Sequence, residues 1–213
     1  MCFSAAASFA ASASLGTLGA VGIKKNRDKR AMPLAFMPVI FAVQQALEGV
    51  IWVTLRTPLV SLIATKLYLF FAYAFWPAFV PWAVYRVEPS PERRKWMLPL
   101  VIGGWCVGAY GFLVIAFFAT PVAAFCSSLN YAVPVNNPWY GYFYVAAGCL
   151  TCLLSSSKWI VAFGFALFGS LILAFTFWMN TGASVWCFFG AVLSALIYFY
   201  IRSQARPSAQ TKK

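Results

Sequence analysis

Gln44-Gln45-Ala46-Leu47-Glu48-Gly49-Val50-Ile51-Trp52 lies inside an apolar run over 33–55 in which Glu48 is the one charged side chain. A helix of that length extends about 35 Å at 1.5 Å per residue. That is enough to cross a hydrocarbon core of ~30 Å. With 100° per residue, Gln44, Gln45, Glu48 and Trp52 fall in one sector of roughly 100°, together with Phe41 and Leu55. One helix face therefore carries two amides, a carboxyl and an indole. A carboxylate in hydrocarbon costs at least ~2.5 kcal/mol and must face protein or water. Two readings follow. Glu48 is a ligand- or proton-binding carboxyl, with Gln44, Gln45 and Trp52 around it. Or it is a neutral acid that pins helix packing through amide hydrogen bonds, at about 0.6 kcal/mol each.

Composition extends this reading to the whole chain. Of 213 residues, 62% are hydrophobic and 9% charged, against about 25% charged in soluble domains. Mean hydropathy is +0.79. Apolar runs recur at 3–23, 33–55, 61–85, 97–119, 139–155, 159–178 and 184–201. The expected fold is all-α, a polytopic membrane bundle of seven transmembrane helices. Residues 1–203 form one domain, and 204–213 form a basic cytoplasmic tail. The first run lacks the basic leading region of a secretory signal and reads as a retained span.

The net charge of +12 would suggest nucleic acid in a soluble protein. Here fourteen of the sixteen Lys and Arg residues fall in alternate connections, leaving Arg56 and Lys66 for the other side. The positive-inside rule then puts the N-terminus outside and the C-terminus in the cytoplasm. The expected partners are a bilayer with anionic headgroups on the cytoplasmic side and an unidentified small molecule, with no nucleic acid. The chain leaves room for a homo-oligomer. In this orientation Glu48 sits ~10 Å below the outer boundary.

There is no histidine, which removes His-ligated zinc, bis-His haem and Ser-His-Asp chemistry together. No metal site and no cofactor is expected. Cys2, Cys126 and Cys187 fall near the outer ends of spans and could supply outer-face thiols, two of them paired in an oxidising compartment, or three apolar fillers. Cys149-x-x-Cys152 lies in an apolar run without a charge to lower a thiol pKa, which favours packing over redox work. Ser4, Ser8, Ser12, Gly16 and Ala20 recur every fourth residue as a small-residue ridge, and Ser184, Cys187, Ala191, Ser194 and Tyr198 form a second seam. Pro77 and Pro81 should kink the third span and free backbone carbonyls. The uncharged connection 120–138 reads either as a lid or as an interfacial loop anchored by Tyr131 and Trp139.

Three short stretches carry a resemblance: the opening Met1-Cys2-Phe3-Ser4, Gln45-x-x-Glu48-x-x-x-Trp52, and Ser184-Val185-Trp186-Cys187. Together they resemble an uncharacterised bacterial integral-membrane family whose members begin Met-Cys-Phe/Trp-Ser. The resemblance implies the membrane class and the inner membrane of a bacterium, and supports these residues as a site. It implies no activity. Three functions are compatible with the chain: a carrier or binding protein using Glu48, an intramembrane enzyme on a lipid or quinone using Cys2, Ser4 or Cys187, and an assembly subunit.

Overall fold

The computed structural model describes residues 4–125, 128–135 and 137–204. The chain runs α1 (Ala5–Lys25), α2 (Met32–Thr54), α3 (Pro58–Leu69), a π-helical segment (Phe70–Phe75), α4 (Trp76–Val87) and α5 (Pro91–Phe117). A hairpin of β1 (Val122–Phe125) and β2 (Ser128–Tyr131) follows. Then come α6 (Pro138–Val145), a second π segment (Ala146–Leu150), α7 (Thr151–Leu153), α8 (Lys158–Phe177), α9 (Gly182–Leu193) and α10 (Ala195–Gln204). Six helices among the described residues are long and apolar enough to cross a membrane. The run expected at 139–155 is not one of them. It is helical from Pro138 to Leu153 and broken in the middle by the π segment.

Successive elements run between two ends. One is basic and gathers Lys24, Lys25, Arg86, Arg93, Arg94, Lys158 and Arg202. The other carries the hairpin. The main apolar cluster, with Met37, Trp76, Phe163 and Ile197, lies deep in the bundle. A second cluster of Ile51, Tyr68, Leu129, Tyr131 and Cys187 closes the hairpin end.

The first two helices pack through small residues, but along a different line from the one expected. A strict four-residue repeat advances 40° per step, so Ala20 lies about 160° from Ser4. Ala20 is exposed, and the buried positions are Ser8, Leu15, Gly19 and Gly22, spaced near 3.5 residues. A methyl group on Gly19 would stand 2.9 Å from the backbone nitrogen of Val39. Ser4 caps α1, its Oγ accepting from Ala7 N at 3.3 Å.

Pro77 shapes the third span. It has no N–H for the carbonyl of Tyr73 four residues earlier, and the chain answers with the π segment, in which Trp76 N–H reaches back to Phe71 O. The released carbonyls are covered from two sides. Tyr140 Oη donates to Tyr73 O at 2.5 Å and Tyr144 Oη to Ala72 O at 2.7 Å. On the other flank Gly104, Gly108 and Gly111 of α5 lie so close to the backbones of Pro77, Ala74 and Tyr73 that no Cβ fits.

Charges outside the apolar core tie the ends. Lys66 Nζ donates to Ile115 O and, at 2.7 Å, to Phe118 O, where the last α5 carbonyls lack helical partners. At the basic end Arg93 donates to Leu154 O and Ser155 O at 2.8 and 3.1 Å. Glu88 accepts from Ser90 N, Ser155 Oγ and both N and Oγ of Ser156. Burial works against its charge. The hydrogen bonds, led by those from Ser156, outweigh that and hold the carboxyl below the ordinary value of 4.5. The stability it contributes is therefore complete above that value and lost as pH falls through the lowered one. Between about pH 6 and about pH 3 the melting temperature of the wild type in nanodiscs should fall further than that of Glu88→Gln. Equal falls would mean that this carboxylate does not secure the turn.

Candidate functional site

Helix α2 brings three of the four proposed site residues together. Gln44, Gln45 and Glu48 are at most 2% exposed. Glu48 lies six residues before the end of α2, or about 9 Å from it at 1.5 Å per residue. Its Oε1 accepts from Ser184 Oγ of α9 at 2.5 Å. Gly49 next to it has no side chain because the Phe9 ring of α1 fills that place; a Cβ there would stand 2.7 Å from Phe9 Cε1. Gln44 Oε1 accepts from Trp76 Nε1 at 2.6 Å, and the Trp76 ring stacks on Phe41 with centroids 3.8 Å apart. Trp52 is only half-buried. Its Nε1 meets no partner, and it packs with the hairpin-end cluster. The indole that serves this face is that of Trp76.

Polar atoms crowd the carboxyl without pairing. Tyr68 of α3 faces both Glu48 and Cys187, yet its hydroxyl meets no partner in hydrogen-bond geometry. The same holds for Gln44 Nε2, both amide atoms of Gln45, Thr65 Oγ1 and Tyr131 Oη. Buried polar atoms are ordinarily hydrogen-bonded, so a cluster of them without partners is unusual. No Lys or Arg pairs with Glu48 among the described residues. A carboxylate cannot stay charged alone in such surroundings. It holds a proton or has a cation beside it.

The hairpin closes the compartment. Leu129 and Tyr131 are buried, and the Tyr131 ring stacks on Tyr68 with centroids 4.8 Å apart. Of the two anchors expected in this connection, Trp139 is exposed as an interfacial residue would be, at 64%, whereas Tyr131 turns inward. The apolar–polar–apolar step of Leu129, Asn130 and Tyr131 is a short strand signal.

Cys187 is not an outer-face thiol. One helical turn beyond Ser184, it is buried as a free thiol between Glu48 and a cavity of 340 Å³. Cys2 and Cys126 lie outside the described residues. Trp186, Tyr73, Tyr140 and Tyr144 line the same cavity. Trp186 Nε1 donates to Leu167 O at 3.1 Å, so the indole is fixed toward the cavity and does not serve as an interface anchor. Of the seam read on the last helix, Ser184, Cys187, Ala191 and Ser194 are buried, whereas Tyr198 lies beyond the break at Ser194 and meets Lys25 at the basic end; Ser184 is more than a small residue there. Cys149 and Cys152 belong to the main core, Cys152 beside Gly164, and no charge reaches them. No group of three or more Cys, Asp or Glu able to hold a metal exists among the described residues.

Six membrane-length helices around a sealed polar centre define the class: a multi-pass helical membrane protein. The whole chain, residues 1–212, matches the model of a family of unknown function (DUF6629), and it belongs to that family. No curated protein and no solved structure matches it.

Two of the polar contacts that join distant helices differ in consequence. Tyr140→Phe strands the Tyr73 carbonyl inside the bundle and should cost about 1–3 kcal/mol, read as a lower melting temperature in detergent. Ser184→Ala should cost less, because a carboxyl that carries a proton does not need that donor. Equal losses would show that Ser184 stabilises a charged carboxylate.

Proposed function

We propose that the protein binds and carries a small molecule through a pocket in the outer half of a bacterial cytoplasmic membrane, with Glu48 as the titrating group. The observation that carries this reading is the buried carboxyl, without a counter-ion, beside unpartnered Tyr68 and Gln45 and one thiol away from a 340 Å³ cavity. Intramembrane acids of this kind ordinarily serve ligand or proton movement. The Gln45 amide and the Tyr68 hydroxyl face this carboxyl, yet neither reaches it in hydrogen-bond geometry.

The orientation rests on charge. Lys24, Lys25, Arg86, Arg93, Arg94, Lys158 and Arg202 gather at one end, which the positive-inside rule makes cytoplasmic. The segment 138–153 runs from the hairpin end to the Arg93-bound turn at Leu154. It supplies a seventh crossing, shortened to about 24 Å, and the N-terminus is then outside. Under this arrangement Glu48 and the cavity lie in the half of the bundle nearer the hairpin, away from the anionic headgroups that the basic end meets. A second reading, a thiol-dependent intramembrane enzyme, draws on Cys187 lining the cavity beside Glu48. It requires the thiol, whereas the carrier reading does not.

The test is a thermal-shift screen of the purified protein in detergent against amines, amino acids, sugars and carboxylates. At least one compound should raise the melting temperature of the wild type and of Cys187→Ser, and should do so much less for Glu48→Gln. A screen without a stabilising compound, or one whose hits are indifferent to Glu48→Gln, contradicts the proposal. Loss of the shift in Cys187→Ser alone favours the enzyme.

A further inference from the structure

We infer that the molecule taken by this cavity is a small organic cation, an alkylammonium, whose charge rests on aromatic faces and is balanced by Glu48. The inference rests on the binding function proposed above and adds the chemical class of the ligand.

The walls are π surface. Ring centroids step from Tyr73 to Tyr140 at 6.0 Å, to Tyr144 at 5.9 Å and to Trp186 at 5.4 Å, with Phe175 also on the wall. Three of these rings have their polar atoms engaged elsewhere: Tyr140 on Tyr73 O, Tyr144 on Ala72 O and Trp186 on Leu167 O. They are held in place and offer the cavity carbon and π electrons in place of donors. Among the described residues no Lys or Arg lines the cavity, so a carboxylate or phosphate finds no counter-charge there. A sugar finds few free donors. A cation over aromatic faces is attracted by the ring quadrupoles, and 340 Å³ is at the small end of ligand pockets, which span roughly 300–1,000 Å³.

Charge balance points the same way. Glu48 is faced by Tyr68 from α3, Tyr131 from β2, Ser184 and Cys187 from α9, and Gln44 and Gln45 from its own helix. None of these is a basic or a second acidic residue. The compartment is neutral either with a proton on Glu48 or with a cation in the cavity behind Cys187. Entry of an ammonium ion therefore breaks the Glu48 O–H bond. The electron pair stays on the carboxylate and the proton leaves to solvent. Nothing is oxidised or reduced. One cation enters for one proton released, so the affinity for cations rises with pH while that for neutral compounds does not.

Calorimetric titration of the full chain in nanodiscs tests this with choline as probe and 3,3-dimethyl-1-butanol as its neutral isostere. Near pH 8 choline should bind at least about tenfold more tightly than the isostere, and the preference should shrink near pH 6. Trp186→Leu should weaken choline binding, and Glu48→Gln should abolish the pH dependence. The wild-type comparison at two pH values needs no variant to fold. Equal affinity for the two probes overturns the cationic class and leaves a small-molecule pocket standing. Tight choline binding without pH dependence overturns the role of Glu48. Failure of both probes overturns the ligand class, and the binding function falls with it only if the broad screen is also empty.

Discussion

A carboxyl group that has no counter-ion among the described residues and lies under a closed roof constrains everything around it. Glu48 is anchored by one short hydrogen bond from Ser184, which ties the second helix to the ninth. Burying a charge without a partner is among the costliest things a fold can do. The molecule meets that cost by surrounding the group with neutral donors and acceptors and by supplying no fixed positive charge. The result is a centre whose charge state depends on what is bound there, and that dependence is what makes a binding function physically reasonable.

The backbone around the centre is irregular for a related reason. Pro77 removes a helical hydrogen bond, a π segment absorbs the offset, and the released carbonyls attract two tyrosine hydroxyls from α6. Those hydroxyls fix the rings that wall the cavity. Glycines of α5 let its backbone approach this irregular stretch closely, at Tyr73, Ala74 and Pro77. Irregular backbone inside a membrane is tolerated where protein covers it, and here its cover is also the cavity wall. Fold and site thus share one set of contacts.

The membrane class, six of the seven expected spans and the burial of Glu48 were legible in the chain because they depend on local properties: run length, charge placement and the 100° step. The membership of Gln44 and Gln45 followed from the same geometry. Trp52 shares their sector but lies one turn nearer the end of α2, where it is only half-buried. Trp76, Tyr68 and Ser184 could not be assigned, since their roles depend on which helices become neighbours. A phenol in mid-span is nevertheless a legible sign that its hydroxyl faces protein, and Tyr68 was open to that reading. The hairpin was missed because a connection rich in Pro and Asn was weighed as a loop, although its second strand carries a short signal. Cys187 was placed by its depth near a span end, and depth alone does not tell an enclosed thiol from an exposed one.

The account stands on the state of one carboxyl, and infrared difference spectroscopy of the ligand-free protein near neutral pH reads it directly. The account predicts a carbonyl band of a neutral, hydrogen-bonded carboxylic acid in the wild type that is absent from Glu48→Gln and slow to shift in deuterated water. A carboxylate band assigned to Glu48, with no acid carbonyl band lost in Glu48→Gln, would contradict it.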